Sequence, residues 1–384
     1  MCLIKIKTEI LMKKKLIVAA TLTACSYMAQ AQNNVTIYGT VDQYIGYISS
    51  NSGAHIIGLN DGTLLRSRVG FRGVEELGNG YQAKFNLEQG LNADTGSSAD
   101  AAHLFDRQAW VGINTPVGEF RLGRQNTEIQ QIGGAIDYTE RTTFGSIINS
   151  FGVPSRYDND ISYKTPRISG FQGSVHYALA EQAGGGISQS AIYQLALDYT
   201  AGPYRAGYAG IVAKPAPTGN IQEKIQYHNL YADYDYGPGK IYLAYVHSNN
   251  ITSNANGLTA GSILSNIASP NNLIAGTDKN ANRYYNIYQV SADYRLSPQL
   301  RIGALYGVIK DTSNGDAGAQ GGNVGAFYDL SKRTTLYSFA SVMTNDTNAG
   351  FRFSGSAGPS ANLAGADVNG KRLTGFQAGV VHRF

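Results

Sequence analysis

A side-chain period of two runs through this chain from residue 35 to its last residue, and it limits the fold more than any other feature. In the final segment Phe376, Ala378, Val380, His382 and Phe384 fall on one face, while Gln377, Gly379, Val381 and Arg383 fall on the other. Only an extended strand places alternate residues on one side. The pattern recurs where Tyr81, Ala83, Phe85 and Leu87 alternate with Gln82, Lys84, Asn86 and Glu88, and where Leu65, Val69 and Phe71 oppose Arg66, Arg68 and Arg72. It recurs again where Tyr193, Leu195, Leu197 and Tyr199 oppose Gln194 and Asp198. Phe384 with no tail after it is expected to be tied into a sheet. If that sheet closes, the last strand pairs with the first, for which 35–48 is the candidate.

Sixteen segments carry a strand signal, near 35–48, 63–74, 80–90, 104–114, 118–125, 156–165, 170–180, 190–200, 203–213, 223–236, 239–248, 283–296, 299–310, 322–331, 333–344 and 372–384. No sustained apolar run or helical pattern lies between them. Tight connections alternate with long ones, notably 126–155, 249–282 and 345–371. Gly 46, Tyr 26 and Phe 13 against a single Trp suit sheet faces and tight turns. The expected fold is all-β: a 16-stranded antiparallel transmembrane β-barrel with short periplasmic turns, long external loops and a third loop that constricts the lumen. A soluble sandwich would also satisfy the alternation, with its apolar faces turned into a core. Against it stand the modest hydrophobicity and the expectation that no strand is apolar on both faces. A barrel instead sets polar side chains around water and apolar ones against lipid.

The beginning of the chain reads as an export signal over 1–31, with 32–384 as a single barrel domain. Lys13, Lys14 and Lys15 precede the apolar run 16–23, and Ala29-Gln30-Ala31 gives a small-x-small cleavage site. Met12 offers a later start that would leave 1–11 outside the protein. Leu22-Thr23-Ala24-Cys25 is a competing lipoprotein box with acylation at Cys25, disfavoured because a strand begins close behind it. Five of the 31 Lys and Arg and one of the 27 Asp and Glu lie in 1–31, leaving 26 of each and no net charge. That balance gives no support to nucleic-acid binding. Both cysteines, Cys2 and Cys25, also lie there, so disulfides do not hold the rest.

The connection between Gln125 and Ser155 is long for a surface loop and calls for a reason. It carries Asp137, Glu140, Arg141 and Thr142 among Ile136, Phe144, Ile147, Ile148 and Phe151, too apolar for free disorder. Folded into a barrel, it would narrow the lumen opposite arginines on several strands: Arg68, Arg107 and Arg156, with Arg66, Arg72 and Arg124 as additions. Carboxylates facing guanidinium groups would set a transverse field across the narrowed path. The loops 249–282 and 345–371, rich in Asn, Ser, Gly and Ala, are expected to be external and solvated.

Several blocks resemble one family. They are Val35-Thr-Ile-Tyr-Gly-Thr-Val-Asp42, the run from Ser67-Arg-Val-Gly-Phe-Arg-Gly to Ala-Lys-Phe-Asn-Leu-Glu88, Arg107-Gln-Ala-Trp-Val-Gly112, Phe120-Arg-Leu-Gly-Arg-Gln125, Arg156-Tyr-Asp-Asn-Asp-Ile-Ser-Tyr163 and the ending Val-His-Arg-Phe384. Together they are similar to the Gram-negative general porins of the beta-proteobacterial and neisserial type. The resemblance implies a homotrimer of sixteen-stranded barrels in the outer membrane, each a passive diffusion channel for ions and small hydrophilic solutes. It places Arg68, Arg107 and Arg156 among wall arginines of the constriction and Asp137 and Glu140 in the loop that supplies its acids. The acids of 126–150 are sparse for the family, so the resemblance leaves the charge preference open. It sets Gln108 and Trp110 on the outward face, opposite Arg107. Phe384 and Phe376 match the end that outer-membrane assembly machinery reads, and the outer wall would meet membrane lipids.

Enzyme chemistry has little footing. The six histidines form no His-Glu-x-x-His and no close cluster for zinc. Gly78-Asn-Gly80 is a hairpin signal without the glycine pattern of a dinucleotide site. No serine stands in a nucleophile turn, and no cofactor is expected. The alternatives are a solute-specific channel, and further off an adhesin or receptor barrel.

Overall fold

The computed structural model describes residues 34–179, 191–213, 224–249, 284–312 and 314–384. The expected leader, with Cys25 and Met12, and residues 250–283 of the long connection lie outside the described residues.

Strands follow one another in the order β1 (Asn34–Ser50), β2 (His55–Asp61), β3 (Arg68–Gly78), β4 (Tyr81–Asn92), β5 (Ser97–Ser98), β6 (Gln108–Thr115), β7 (Gly118–Asn126), β8 (Arg156–Lys164) and β9 (Phe171–Ala178). They continue as β10 (Ile192–Ala201), β11 (Tyr204–Ala213), β12 (Ile225–Asp235), β13 (Lys240–Ser248), β14 (Tyr285–Arg295), β15 (Leu300–Asp311), β16 (Ala319–Asp329), β17 (Thr334–Asn345) and β18 (Arg372–Arg383). β2 and β3 are two halves of one barrel strand, both paired to β1, and β5 is a two-residue ladder inside a loop. The wall therefore has sixteen antiparallel strands. It closes because β18 pairs with β1 from Thr40↔Arg383 to Ser50↔Leu373. Gly39 and Phe384 then exchange both backbone hydrogen bonds at 3.1 Å. Closure leaves no edge, which a sheet in lipid requires.

Alternation sorts the faces as expected. Leu122, Val111, Leu195, Leu243 and Val324 are exposed on the outer wall, together with Phe376 and Phe384. At the short-turn end the outer aromatics meet in pairs, Phe120 with Tyr163, Phe171 with Tyr199 and Tyr204 with Tyr234, at 4.4–5.0 Å between centroids. Such a ring of amphipathic side chains marks a membrane interface.

Three expectations need correction. The second barrel strand starts at His55, and residues 62–67 leave the ladder, including 63–67 of the expected strand 63–74. Val41 and Asp42 of β1 face this six-residue excursion, because Gln43 pairs with Asp61 and Thr40 with Arg68. Asp42 holds it in place: its carbonyl accepts Gly62 N at 2.8 Å and its carboxylate accepts Leu65 N at 2.7 Å. Leu64 is thereby buried inside. Second, some strands are apolar on both faces. Leu305 and Ile309 of β15 and Tyr337, Phe339 and Met343 of β17 are buried inward-facing residues. They are covered because the 127–155 loop lies against them inside the barrel. Third, the 346–371 loop is not a solvated external loop. Phe351, Phe353, Leu363 and Val368 are buried, and Phe353 stacks on Phe144 at 5.2 Å. The barrel thus has a core inside its lumen, along one side.

Candidate functional site

The third loop descends into the lumen as a short helix α1 (Glu128–Gln131), a 3-10 turn at Ile132–Ala135 and a second helix α2 (Ile147–Phe151). Ile129, Ile136, Phe144, Ile147, Ile148 and Phe151 are fully buried against the wall. At about 1.5–3 kcal/mol for each such side chain removed from water, this burial drives the descent. It leaves peptide groups that neither helix nor sheet satisfies. Inward polar side chains of the wall supply the partners. Gln289 Oε1 accepts Ile147 N at 2.9 Å and Ile148 N at 3.1 Å, and its Nε2 donates to Asp137 at 2.7 Å. Asn323 donates to the Phe144 carbonyl at 2.7 Å and accepts the Tyr138 hydroxyl at 2.7 Å. Gln377 accepts Phe144 N at 2.9 Å, and Ser341 donates to the same carbonyl at 2.8 Å.

The two loop acids have different positions. Asp137 is 1% exposed and accepts from Thr139 N, Thr139 Oγ1, Arg141 N, Ser146 Oγ and Gln289 Nε2. Its charge is engaged in folding the loop. Glu140 is exposed, in the left-handed region at φ 59, and lies within electrostatic reach of Arg68. At the loop's start Glu128 is buried beside Lys164 at 3.0 Å and His176 at 3.6 Å. Burial pushes its carboxyl up, but the hydrogen bond to His176 and the Lys164 charge prevail and hold it down at about 2. Arg141 is buried as well, which pushes its guanidinium downward; Nη2 donates to Gln130 O at 3.0 Å.

The opposite wall gathers cations. Glu88 of β4 is the centre: Arg107 Nε lies 2.6 Å from one carboxylate oxygen, Arg68 Nε 3.6 Å from the other, and Tyr38 OH donates at 2.9 Å. Arg107 is also within electrostatic reach of Arg66 and Arg156. Arg66 donates to Asn92 at 3.0 Å, and among the described residues the Arg156 guanidinium donates to Ser155 at 3.5 Å. Arg124 pairs with Asp158. Arg66, Arg68, Arg107 and Arg156 thus share one region, in which Glu88 is bonded to two of them. Arg72 lies apart, two pleats toward the short-turn end, with its guanidinium 5.1 Å from the Tyr38 ring centre.

Gln108 and Trp110 face the lumen, against expectation. They pair with Glu88 and Asn86, and Trp110 carries Arg121 at 4.1 Å over its ring. Regular pairing starts at Gln108, so parity counted from Arg107, which stands just outside the strand, gives the wrong side. The docking residues Gln289, Asn323, Ser341 and Gln377 were not singled out from sequence, since an inward polar residue reads the same whether it meets water or a loop.

The chain matches known proteins over most of its length. The family model described as Gram-negative porin covers residues 17–350. An outer membrane porin of Bordetella pertussis is 29% identical over 367 residues, 87% of this chain and 95% of that one. Outer membrane porin protein 32 of Delftia acidovorans is 27% identical over 389 residues, 97% of this chain and all of that one. Among solved structures, an anion-selective porin from Comamonas acidovorans superposes with a TM-score of 0.72 at 25% identity, over 92% of this chain and all of that chain. A closed sixteen-strand barrel with a loop folded into its lumen and this breadth of similarity lead to one conclusion: the chain belongs to the Gram-negative porin family, a multi-pass protein of the outer membrane that forms a passive channel.

Proposed function

We propose that this channel is a general diffusion pore with a preference for small anions, and that its constriction lies between the third loop and the wall arginines Arg66, Arg68, Arg107 and Arg156. The observation that carries the reading is the charge count of that region. Four guanidinium groups share it with three carboxylates, Glu88, which is bonded to two of them, and Asp106 and Asp61, each engaged by a backbone N–H, which leaves one positive charge in excess on the wall; on the loop side Glu140 is exposed while Asp137 is buried. A net positive field across a narrowed aqueous path raises the local concentration of anions and lowers that of cations. The anion selectivity named for the Comamonas acidovorans porin supports the sign. Arg72 acts nearer the short-turn mouth.

In this reading the protein works as a homotrimer, exported by a signal at 1–31 and inserted by outer-membrane assembly machinery that reads Phe376 and Phe384. Leu104, 80% exposed in the 93–107 loop, offers apolar surface for a second copy. No catalytic step is assigned: the barrier falls because hydrocarbon is replaced by water. The deciding experiment is single-channel recording in planar bilayers under a salt gradient. Conductance linear in salt, openings in groups of three and an anion-selective zero-current potential are expected. Saturation by one solute would replace the general pore with a specific channel, and a cation-selective potential would overturn the assigned sign.

A further inference from the structure

Arg66 differs from the other wall arginines of the constriction in what holds its backbone. Arg68 and Arg156 belong to paired strands, and the Arg107 N–H donates to the Glu88 carbonyl of β4 at 3.1 Å. Arg66 stands in the 62–67 excursion, which leaves the ladder of β1. Among the described residues its N–H has one acceptor, Ser356 Oγ of the 346–371 loop, at 3.0 Å. The same stretch of that loop takes up two more groups of the excursion: Ala357 N donates to Gly62 O at 2.8 Å, and Ser356 N donates to Thr63 O at 3.1 Å. Asp42 secures the excursion at Gly62 and Leu65, so the peptide that carries the guanidinium is left to Ser356.

The support is itself fixed. Burial alternates along 351–355, with Phe351, Phe353 and Gly355 buried and Arg352 and Ser354 partly buried. One face of an extended segment therefore lies on the third loop, where Phe353 stacks on Phe144 and Phe351 meets Phe151 at 6.2 Å between ring centres. Asn345 holds the start of the segment, donating to Phe351 O at 2.8 Å and accepting Phe351 N at 2.9 Å, and Asn362 donates to Phe353 O at 2.8 Å. Further along, a Cβ placed on Gly355 would meet the carbonyl oxygens of Gly62 and of Thr142, each at 3.5 Å. Residues 353–357 thus touch the third loop on one side and the excursion on the other.

We propose that Ser356 is a positioning residue for charge selection: its hydroxyl, carried on the buried aromatics of the 346–371 loop, keeps Arg66 beside the ion path. The inference rests on the placement of Arg66 in the constriction. A partly buried peptide N–H that loses its acceptor turns toward water, and the side chain turns with it. The effect of a wall charge on a passing ion falls with distance and with screening. Moving Arg66 from about 7 Å to about 10 Å from the path at 0.1 M salt roughly halves that effect.

The test measures the zero-current potential of the folded full chain in planar bilayers under a salt gradient. Ser356→Ala should lower the anion-to-cation permeability ratio about 1.7-fold, and Arg66→Gln should lower it about threefold. Ser356→Thr keeps the hydroxyl and should keep the parent's ratio. In the Arg66→Gln background Ser356→Ala should change nothing further, because its action passes through that charge. A loop that was merely loosened would shift both backgrounds alike, and that result would overturn the role of Ser356. A parent-like ratio in Ser356→Ala beside a lowered one in Arg66→Gln would overturn it too, while leaving the constriction as assigned. A parent-like ratio in Arg66→Gln would instead overturn the placement of Arg66, and the inference with it.

Discussion

Gln289 should hold the third loop shut, and Gln289→Leu should let it open. The side chain makes three hydrogen bonds to the loop, accepting Ile147 N and Ile148 N at the first turn of α2 and donating to Asp137. Leucine fills similar space but leaves two buried N–H groups and one carboxylate lone pair without partners. At the low end of about 1 kcal/mol for each orphaned group, docking weakens by about 3 kcal/mol. With tenfold per 1.4 kcal/mol, the undocked population rises about 150-fold. The strand ladder of β14 uses backbone groups alone at this position, so the barrel itself should keep its heat resistance in detergent. Single-channel traces should then show excursions to higher conductance that are rare in the parent and frequent in the variant. Traces with the parent's conductance and noise, from barrels of unchanged heat resistance, would refute the assignment of Gln289 as the anchor.

The charged residues give a sign test. Arg68→Gln removes a charge that, about 7 Å from an ion in water and half screened at 0.1 M salt, is worth about 0.3 kcal/mol to each ion sign; the anion-to-cation permeability ratio should fall about threefold. Glu88→Gln should move the zero-current potential the other way, and Arg107→Gln should follow Arg68→Gln with an added stability loss of about 3 kcal/mol from breaking a buried pair. Glu140→Gln should raise anion preference, whereas Asp137→Asn should leave the potential unchanged and increase channel noise, because Asp137 is buried among loop donors. Glu128 links the loop to pH. Its folded carboxyl titrates at about 2 against an ordinary 4.5, so its stabilising contribution is complete above pH 4.5 and is lost as pH falls through about 2. Loop noise recorded between pH 5 and 2 should rise over that window in the parent and should depend less on pH there in Glu128→Gln, in which the Asp137 carboxylate still holds the loop.

What could be read from sequence and what could not divide along a physical line. The wall was legible because a strand between water and lipid shows its two faces residue by residue; Phe376, Phe384 and the alternation at 81–88 stand where that rule places them. The 62–67 excursion was not, because the group that fixes it, the Asp42 carboxylate, lies twenty residues upstream and acts through the fold. Parity failed at Trp110 for a related reason, since it holds only inside a paired strand and Arg107 stands outside one. The constriction was half legible. Arg68 and Arg156 lie on paired strands, where faces can be counted, but Arg66 and Arg107 stand just outside them, and Asp137 and Glu140 lie on a loop, where three residues separate a carboxylate buried among donors from one within electrostatic reach of Arg68. The inward residues beneath the loop were hidden by the same assumption that made the barrel legible, that the inside is water. Once the inside is partly a core, Phe339 and Met343 are no longer exceptions to the pattern. The sequence held a signal for this in Phe351-Arg352-Phe353: two aromatics alternating within a connection have no reason to sit in water. Phe353 stacked on Phe144 shows where they go, and it makes the 346–371 loop a second support for the third.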